Sequence, residues 1–402
     1  MASRQGPKSE VQSPKATDSD SVLRTQDVSL YPKVALVHDW LVNPGGAERV
    51  LLELHNLYPE APIYTTAFVR ERFPEFADAD VRVTWMDKYK VTKYKHQFFS
   101  PLRALTYAFK DLSEYDLIIS SASAESKYVK HRKDALHICY CHTPIRYYWS
   151  DYDWYRKNPP FGKLNWLAQI ALPVMIGPLR WFDFKMSQRV DRYVANSDFV
   201  AARIRKYYHR DSTVIYPPIV TNRFALKRDP KDYYVIVGRQ VAYKRLDLAI
   251  DAFNELGLTL KISGSGEEAL KQQLRSKDNI EFLGRVSDDE LAKLFSEAKA
   301  FIFPPEEDFG MIPVEAMSAG CPVIAYGSGG ALESVVDGQT GVFFGEQTPE
   351  SLIEAVKRFE TMRFDEKTVR ARAAEFDVSV FRQRMKAYIE GEWAEFEAKR
   401  NE

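Results

Sequence analysis

From Lys33 onward the chain alternates short apolar runs with amphipathic stretches, breaks once at a pair of prolines, and then begins the same alternation again. "KVALVHDWL" (33–41) reads as a buried strand, and "GGAERVLLELHNLYP" as a helix opening on glycines. "PIYTTAF", "VRVTWM", "YDLIISS" (115–121), "ALHICYCHT" (135–143) and "RYVANS" (192–197) are further strands, the last followed by the helical "DFVAARIRKYYH". Strands separated by helices form βαβ units and parallel sheets. "TVIYPPIVTNRFALKRDPKD" (213–232) interrupts the rhythm and is expected to be a linker. Beyond it come "DYYVIVGR" (232–239), a helix over 245–257, "TLKISGSG" (259–266), a helix over 267–276 and "NIEFLGRV" (279–286). "SDDELAKLFSEAK" has capping-box spacing at Ser287 and Glu290, while "AFIFPP" and "PVIAY" (322–326) complete the second sheet. The pattern predicts an α/β protein of two doubly wound domains, 31–215 and 216–376, and a closing helix over 377–402. A ligand is expected in the cleft at the carboxyl ends of the strands.

Composition agrees with a soluble globular chain of two domains: 402 residues, 45% apolar and 28% charged. Lys+Arg and Asp+Glu each number 56, so no global charge selects a nucleic acid or an acidic polymer. Three cysteines, Cys139, Cys141 and Cys321, argue against a disulfide framework and fit a reducing compartment. Residues 1–30 are polar, lack the apolar core of a signal peptide and are expected to be a disordered tail. No run reaches the ~18 apolar residues of a membrane span. The nearest, "LNWLAQIALPVMIG" (164–177), is expected to be a buried or interfacial helix.

The second half carries a candidate anion site. In "PPEEDFGMIPVEAMSAGCPVIAY" Pro313 suits a first helical position and Gly320 the residue past the helix end, which leaves about two turns. Glu307 then lies on the preceding loop and Glu315 in the first turn, while Gly310 lets backbone approach a ligand closely. Free amides of that turn suit an anion or a hydroxyl-rich ligand, although an acidic first turn also arises simply to favour the helix dipole. "VIVGRQVAYKRLDLAIDAF" places Arg239 and Lys244 after a strand and before a helix, where phosphate binds in open α/β sheets. Taken singly, either cation could be ordinary surface charge. Together they could neutralise a diphosphate without a metal. "ISGSGEE" adds a glycine loop after the next strand.

In order, GR-x4-K, the SGSG loop, "EFLGRVSDDEL", the E-x7-E element and "GGALESVVDGQTGVFF" resemble the C-terminal half of the GT-B glycosyltransferases of family 4, which retain anomeric configuration. "GGAERVLLEL", "YDLIISSASAESKYV", "CHTPIRYYW" and "DRYVANSDFVAARIRKYYHRDSTVIYPP" extend the likeness over roughly 33–390, towards bacterial mannosyltransferases of lipid-linked polysaccharide assembly. The resemblance implies the GT-B fold, two Rossmann-like domains with the last helix crossing back to the first. It implies that Arg239 and Lys244 hold the donor diphosphate. Glu307 and the backbone of Phe309, Gly310 and Met311 would meet the transferred sugar, and Glu315 the ribose. Gly45 and Gly46 would let the first helix approach the phosphates, with Gly264 in the donor loop. The implied reaction moves a hexose, mannose from GDP-mannose, to a hydroxyl of a glycan or lipid-linked acceptor, with retention and with neither metal nor other cofactor. A GT-B sugar-nucleotide epimerase and a non-catalytic carbohydrate-binding or scaffold protein are the competing readings.

His142 follows a strand in "CYCHTPIRYYW"; the family places a histidine here near the transferred sugar, against the plainer reading of a strand-end histidine bonded to backbone. A zinc site from His137, Cys139, Cys141 and His142 is disfavoured, because alternate side chains on one strand face stand roughly 6.6 Å apart. The acidic pairs "DAD" (78–80) and "DYD" (151–153) follow no convincing buried strand and read as surface carboxylates. "KYKVTKYKHQFFSPLRALTYAFK" (88–110) holds six Lys/Arg, six aromatics and no acid. It is expected to dock on an anionic membrane surface, against the alternatives of a single-stranded nucleic-acid platform or a plain solvated helix face, and the protein is expected in the cytoplasm, peripheral on the inner membrane face.

Overall fold

The apolar runs become parallel strands because helices cover the faces of each sheet and bury the central strands, while the edge strands Val81–Val83, Thr213–Val214 and Ile280–Gly284 keep exposed residues. The computed structural model describes residues 32–94, 99–157, 165–224, 226–266 and 268–401, so the 1–30 tail lies outside the described residues. The first sheet contains β1 (Val34–His38), β2 (Ile63–Thr65), β3 (Val81–Val83), β4 (Leu117–Ala122), β5 (Leu136–Cys141), β6 (Arg192–Ala195) and β7 (Thr213–Val214). Their order is β3-β2-β1-β4-β5-β6-β7, parallel throughout. The second contains β8 (Tyr234–Val237), β9 (Leu260–Ser263), β10 (Ile280–Gly284), β11 (Phe301–Phe303), β12 (Val323–Tyr326) and β13 (Gly341–Phe344). It runs β10-β9-β8-β11-β12-β13, again parallel. In both sheets the order reverses beside the first strand, between β1 and β4 and between β8 and β11. Each reversal opens a crevice at the strands' carboxyl ends. The doubly wound α/β architecture expected from the alternation is present.

Three local expectations need correction. The stretch 213–232 is not all linker, because Thr213 and Val214 pair with β6 as the edge strand of the first sheet. The second sheet does not end with "PVIAY", because "GVFF" adds β13 at its edge. This strand was hidden by its opening glycine, which is there because a Cβ on Gly341 would stand 2.0 Å from the Val323 carbonyl oxygen. The helix Met311–Ser318 begins two residues before Pro313, capped by Gly310 at φ +80°, so Glu315 sits one turn in rather than in the first turn. The capping box at Ser287 and Glu290 forms as its spacing predicts.

The chain crosses between the sheets twice, side by side. Ile219 accepts from Val378 N–H (2.8 Å) and donates to the Phe376 carbonyl (3.1 Å), and Thr221 Oγ1 donates to Asp377 (2.6 Å). The helix Val378–Asn401 then returns to the first sheet. Its Phe381, Met385 and Ile389 are buried among Leu36, Leu54, Ile63 and Tyr140. Arg382 pairs with Glu53, and Glu392 with Arg192 at 2.5 Å.

The 88–110 stretch forms the helices Lys90–Tyr94 and Ser100–Ala108, with 95–98 outside the described residues. Only part of its charge faces outward. Lys88 and Lys90 are exposed, but Lys93 pairs with Asp87 (2.9 Å) and Arg103 is buried against Glu125.

Candidate active site

β8 ends at Val237, and the chain turns through Gly238 into Arg239 and a single 3-10 turn, Ala242–Lys244. Arg239 is exposed, its Nη2 3.4 Å from the Tyr243 hydroxyl. Lys244 turns inward and its ammonium contacts the Glu307 carboxylate, both side chains being largely buried. Burial, with the positive charges of Arg239 and Arg146 beside it, lowers the Lys244 pKa to about 7. An arriving diphosphate would oppose that shift. The E-x7-E loop and the GR-x4-K turn therefore meet, although 63 residues separate their contacting side chains.

The acidic loop is held from below by glycines. Gly330 N–H donates to the Glu307 carbonyl (2.9 Å), and a Cβ on Gly330 would lie 2.2 Å from Phe309 Cα. The Phe309 ring is buried against Tyr216 and Phe376 (centroids 5.4 and 5.5 Å), and the residue as a whole is buried. Gly264 is likewise turned to packing. A Cβ there would fall 1.8 Å from the Gly238 carbonyl oxygen, so the two strand-end loops stack backbone on backbone.

Across the cleft, the helix Gly46–Leu57 starts after an extended Gly45. A Cβ on Gly46 would meet Met311 Sδ at 2.7 Å, so the first helix of one half abuts the acidic helix of the other. One turn along, Arg49 Nη1 donates to Glu315 Oε1 at 2.5 Å. Two further cations reach over. Asp308 accepts from Arg146 Nη2 and Arg203 Nη1, both at 2.6 Å, and its carbonyl accepts from Ser197 Oγ at 2.5 Å. Glu333 accepts from the amides of Asp198 and Phe199 (2.7 and 3.0 Å), an anion at the start of the helix Asp198–Tyr208.

His142 follows β5 and its recorded partners belong to the first half. Its Nε2 lies 2.8 Å from Ser121 Oγ, which lies 3.2 Å from His38 Nδ1, and His38 Nε2 is 3.7 Å from Glu48. Burial and the neighbouring His38 lower the His142 pKa to about 3, so its imidazole is neutral at physiological pH. Asp39 accepts the amides of Ser123, Ala124 and Ser126 and fixes the loop after β4. His137 is occupied by Ser120 (2.8 Å), and among the described residues no group of three or more His, Cys, Asp or Glu is placed to hold a metal ion.

The site thus joins Arg239, Lys244, Glu307, Glu315, Gly310, Met311, Gly45 and Gly46, while His142 is organised separately by the first half. Sequence reasoning missed Arg49, Arg146, Arg203, Asp308 and Glu333, whose partners are 105 to 266 residues away. Only Arg49 had a local signal, its place one turn after the paired glycines. The arrangement offers clustered cations for an anion and two carboxylates for hydroxyls.

Residues 44–223 match the family model Glycosyltransferase Family 4, and residues 220–376 match Glycosyl transferases group 1. The alpha-1,3/1,6-mannosyltransferase ALG2 of Homo sapiens is 25% identical over 84% of this chain and 89% of its own length. The O-antigen chain mannosyltransferase RfbU of Salmonella typhimurium is 31% identical over 36% of this chain and 44% of its own. The uncharacterized glycosyltransferase MJ1178 of Methanocaldococcus jannaschii is 29% identical, and the match spans about half of its length (52%) and 44% of this chain. The crystal structure of Anabaena Alr3699/HepE with UDP-glucose superposes with a TM-score of 0.65 at 19% identity, covering 90% of this chain and 100% of that one.

Proposed function

Because the chain belongs to the family 4, group 1 type of glycosyltransferases, we propose that it transfers mannose from GDP-mannose to a hydroxyl of a glycan or lipid-linked acceptor, with retention at the anomeric carbon and no metal. The observation that carries this reading is the contact of Lys244 with Glu307 beside Arg239. The mannosyltransferase names of ALG2 and RfbU support the choice of sugar. HepE was crystallised with UDP-glucose, so the base is the point the experiment must decide.

In this proposal the donor diphosphate takes Lys244 away from Glu307 and lies between Lys244 and Arg239. The freed Glu307 carboxylate then accepts hydroxyls of the sugar, with the backbone of Phe309, Gly310 and Met311 around it. Glu315 exchanges Arg49 for the ribose hydroxyls. The cations stabilise charge where it develops on the departing diphosphate, in a cleft that limits water. The acceptor oxygen bonds to the anomeric carbon as the carbon–oxygen bond to phosphate breaks, and the acceptor proton passes to the departing phosphate oxygen. His142, neutral, orients a sugar hydroxyl. The exposed part of 88–110, with Lys88 and Lys90, faces an anionic membrane.

Thermal-shift measurements with GDP-, UDP- and ADP-sugars test the donor. Stabilisation by GDP-mannose above the others is expected, and preference for another base would overturn that assignment. Turnover in EDTA tests the metal-free reading, and NMR of the product anomer tests retention.

A further inference from the structure

The helix Asn165–Ser187 has an inner face and, among the described residues, an exposed outer one. Ile176, Leu179, Phe182 and Met186 pack into the core that also holds Ala104, Tyr107 and Ala108 of the helix Ser100–Ala108. On the other side Trp166, Ile170, Val174 and Trp181 are 61%, 63%, 75% and 62% exposed. At helical spacing these four fall within an arc of about 80°, one continuous stripe along the helix. A soluble surface scatters such side chains singly; a row of this length marks a contact.

The charge around the stripe says what kind of contact. The helix's one acid, Asp183, is buried, where it accepts from Tyr128 and Trp149 (both 2.6 Å). Lys185 is exposed, with its ammonium over the Trp181 ring (5.1 Å). The adjoining helix Tyr152–Lys157 exposes Trp154, Arg156 and Lys157 against one exposed carboxylate, Asp153. Arg189, just past the long helix, donates to the Ala108 carbonyl (3.0 Å), next to Phe109, which is 80% exposed beside Lys110. Through Arg189 the end of the long helix and the 88–110 surface are neighbours. Apolar side chains and tryptophans bordered by cations are the composition that settles in the headgroup boundary of a bilayer. Two copies meeting through this face would bring like charges together.

We propose that the helix Asn165–Ser187 lies along the surface of a bilayer containing anionic lipid, with the stripe from Trp166 to Trp181 set into the headgroup boundary. This goes beyond docking through 88–110 and does not depend on the reaction catalysed. Arg180 links the helix to the active-site side, donating to the Tyr148 carbonyl (2.5 Å) in the segment that carries His142 and Arg146.

The test is flotation of the full chain with vesicles of about seven parts phosphatidylcholine to three of phosphatidylglycerol, and with phosphatidylcholine alone. Binding to the anionic vesicles is expected, weaker by at least ~10-fold when Trp166, Ile170, Val174 and Trp181 are all replaced by serine. Stabilisation by nucleotide diphosphate should be unchanged in that variant. Should it fail to fold, the quenching by brominated phosphatidylglycerol vesicles that is lost in Trp166→Phe/Trp181→Phe reports the same contact, since the exposed Trp85 and Trp154 remain in both proteins. Equal flotation of the quadruple variant, absence of wild-type flotation, or absence of that loss of quenching would overturn the proposal. So would a wild-type dimer that the serine variant abolishes without any vesicle binding. Loss of nucleotide stabilisation in the wild type would count against the transferase reading and leave the lipid result standing.

Discussion

Arg49 of the first helix and Glu315 of the acidic helix form an ion pair of 2.5 Å across the cleft, one partner half-exposed and the other buried. Glu315 therefore has a resident cation in the free protein, and a donor reaching it must displace a guanidinium rather than water. Replacing Glu315 by Gln is expected to weaken nucleoside diphosphate binding about tenfold, through loss of a charge-assisted acceptor. Calorimetric titration with GDP measures this, and an unchanged affinity would remove Glu315 from the donor site.

Lys244 has a pKa of about 7 in the free protein, so at pH 8 it is mostly neutral. A bound diphosphate favours the ammonium and draws a proton from buffer. Proton uptake at pH 8 should appear in titrations run in buffers of different ionisation enthalpy, and donor affinity should fall as pH rises above 7. In Lys244→Ala the uptake disappears and kcat falls by roughly 10³-fold or more with the fold intact.

His142 stays neutral from pH 5 to 8 because its pKa is lowered to about 3. Its replacement by Gln should reduce turnover while leaving the shape of the pH–rate profile unchanged over that range. An acidic limb near pH 6 that vanishes in His142→Gln would show a titrating imidazole instead.

Arg103 and Glu125 are both buried, paired through two hydrogen bonds of 2.9 and 3.2 Å and joined by Tyr147. Truncating Arg103 to Ala strands the carboxylate and should cost about 3–5 kcal/mol in urea unfolding. Replacing both residues by apolar ones of similar volume should recover much of that loss.

The strands and the second-half motif were legible because periodicity and turn residues are local signals. Arg239, Lys244, Glu307 and Glu315 could be read from their positions after strands and beside a helix. The cross-cleft groups could not: nothing near Asp308 in sequence announces Arg146 and Arg203, and charge counting cannot distinguish a buried Arg103 from an exposed Lys88. The first-turn position expected for Glu315 failed because Gly310, at positive φ, starts the helix earlier than Pro313 would. The packing of Gly264 on Gly238 was hidden for a related reason, since a glycine required by another backbone looks the same in sequence as one required by a ligand.

Phe381, Met385 and Ile389 complete the core of the sheet that is synthesised first. During translation the N-terminal half must therefore wait, with an apolar groove uncovered, until the last helix has left the ribosome. The second half, enclosed between its own connections, can mature earlier. Truncation within the final helix should consequently damage the half of the molecule farthest away in the gene.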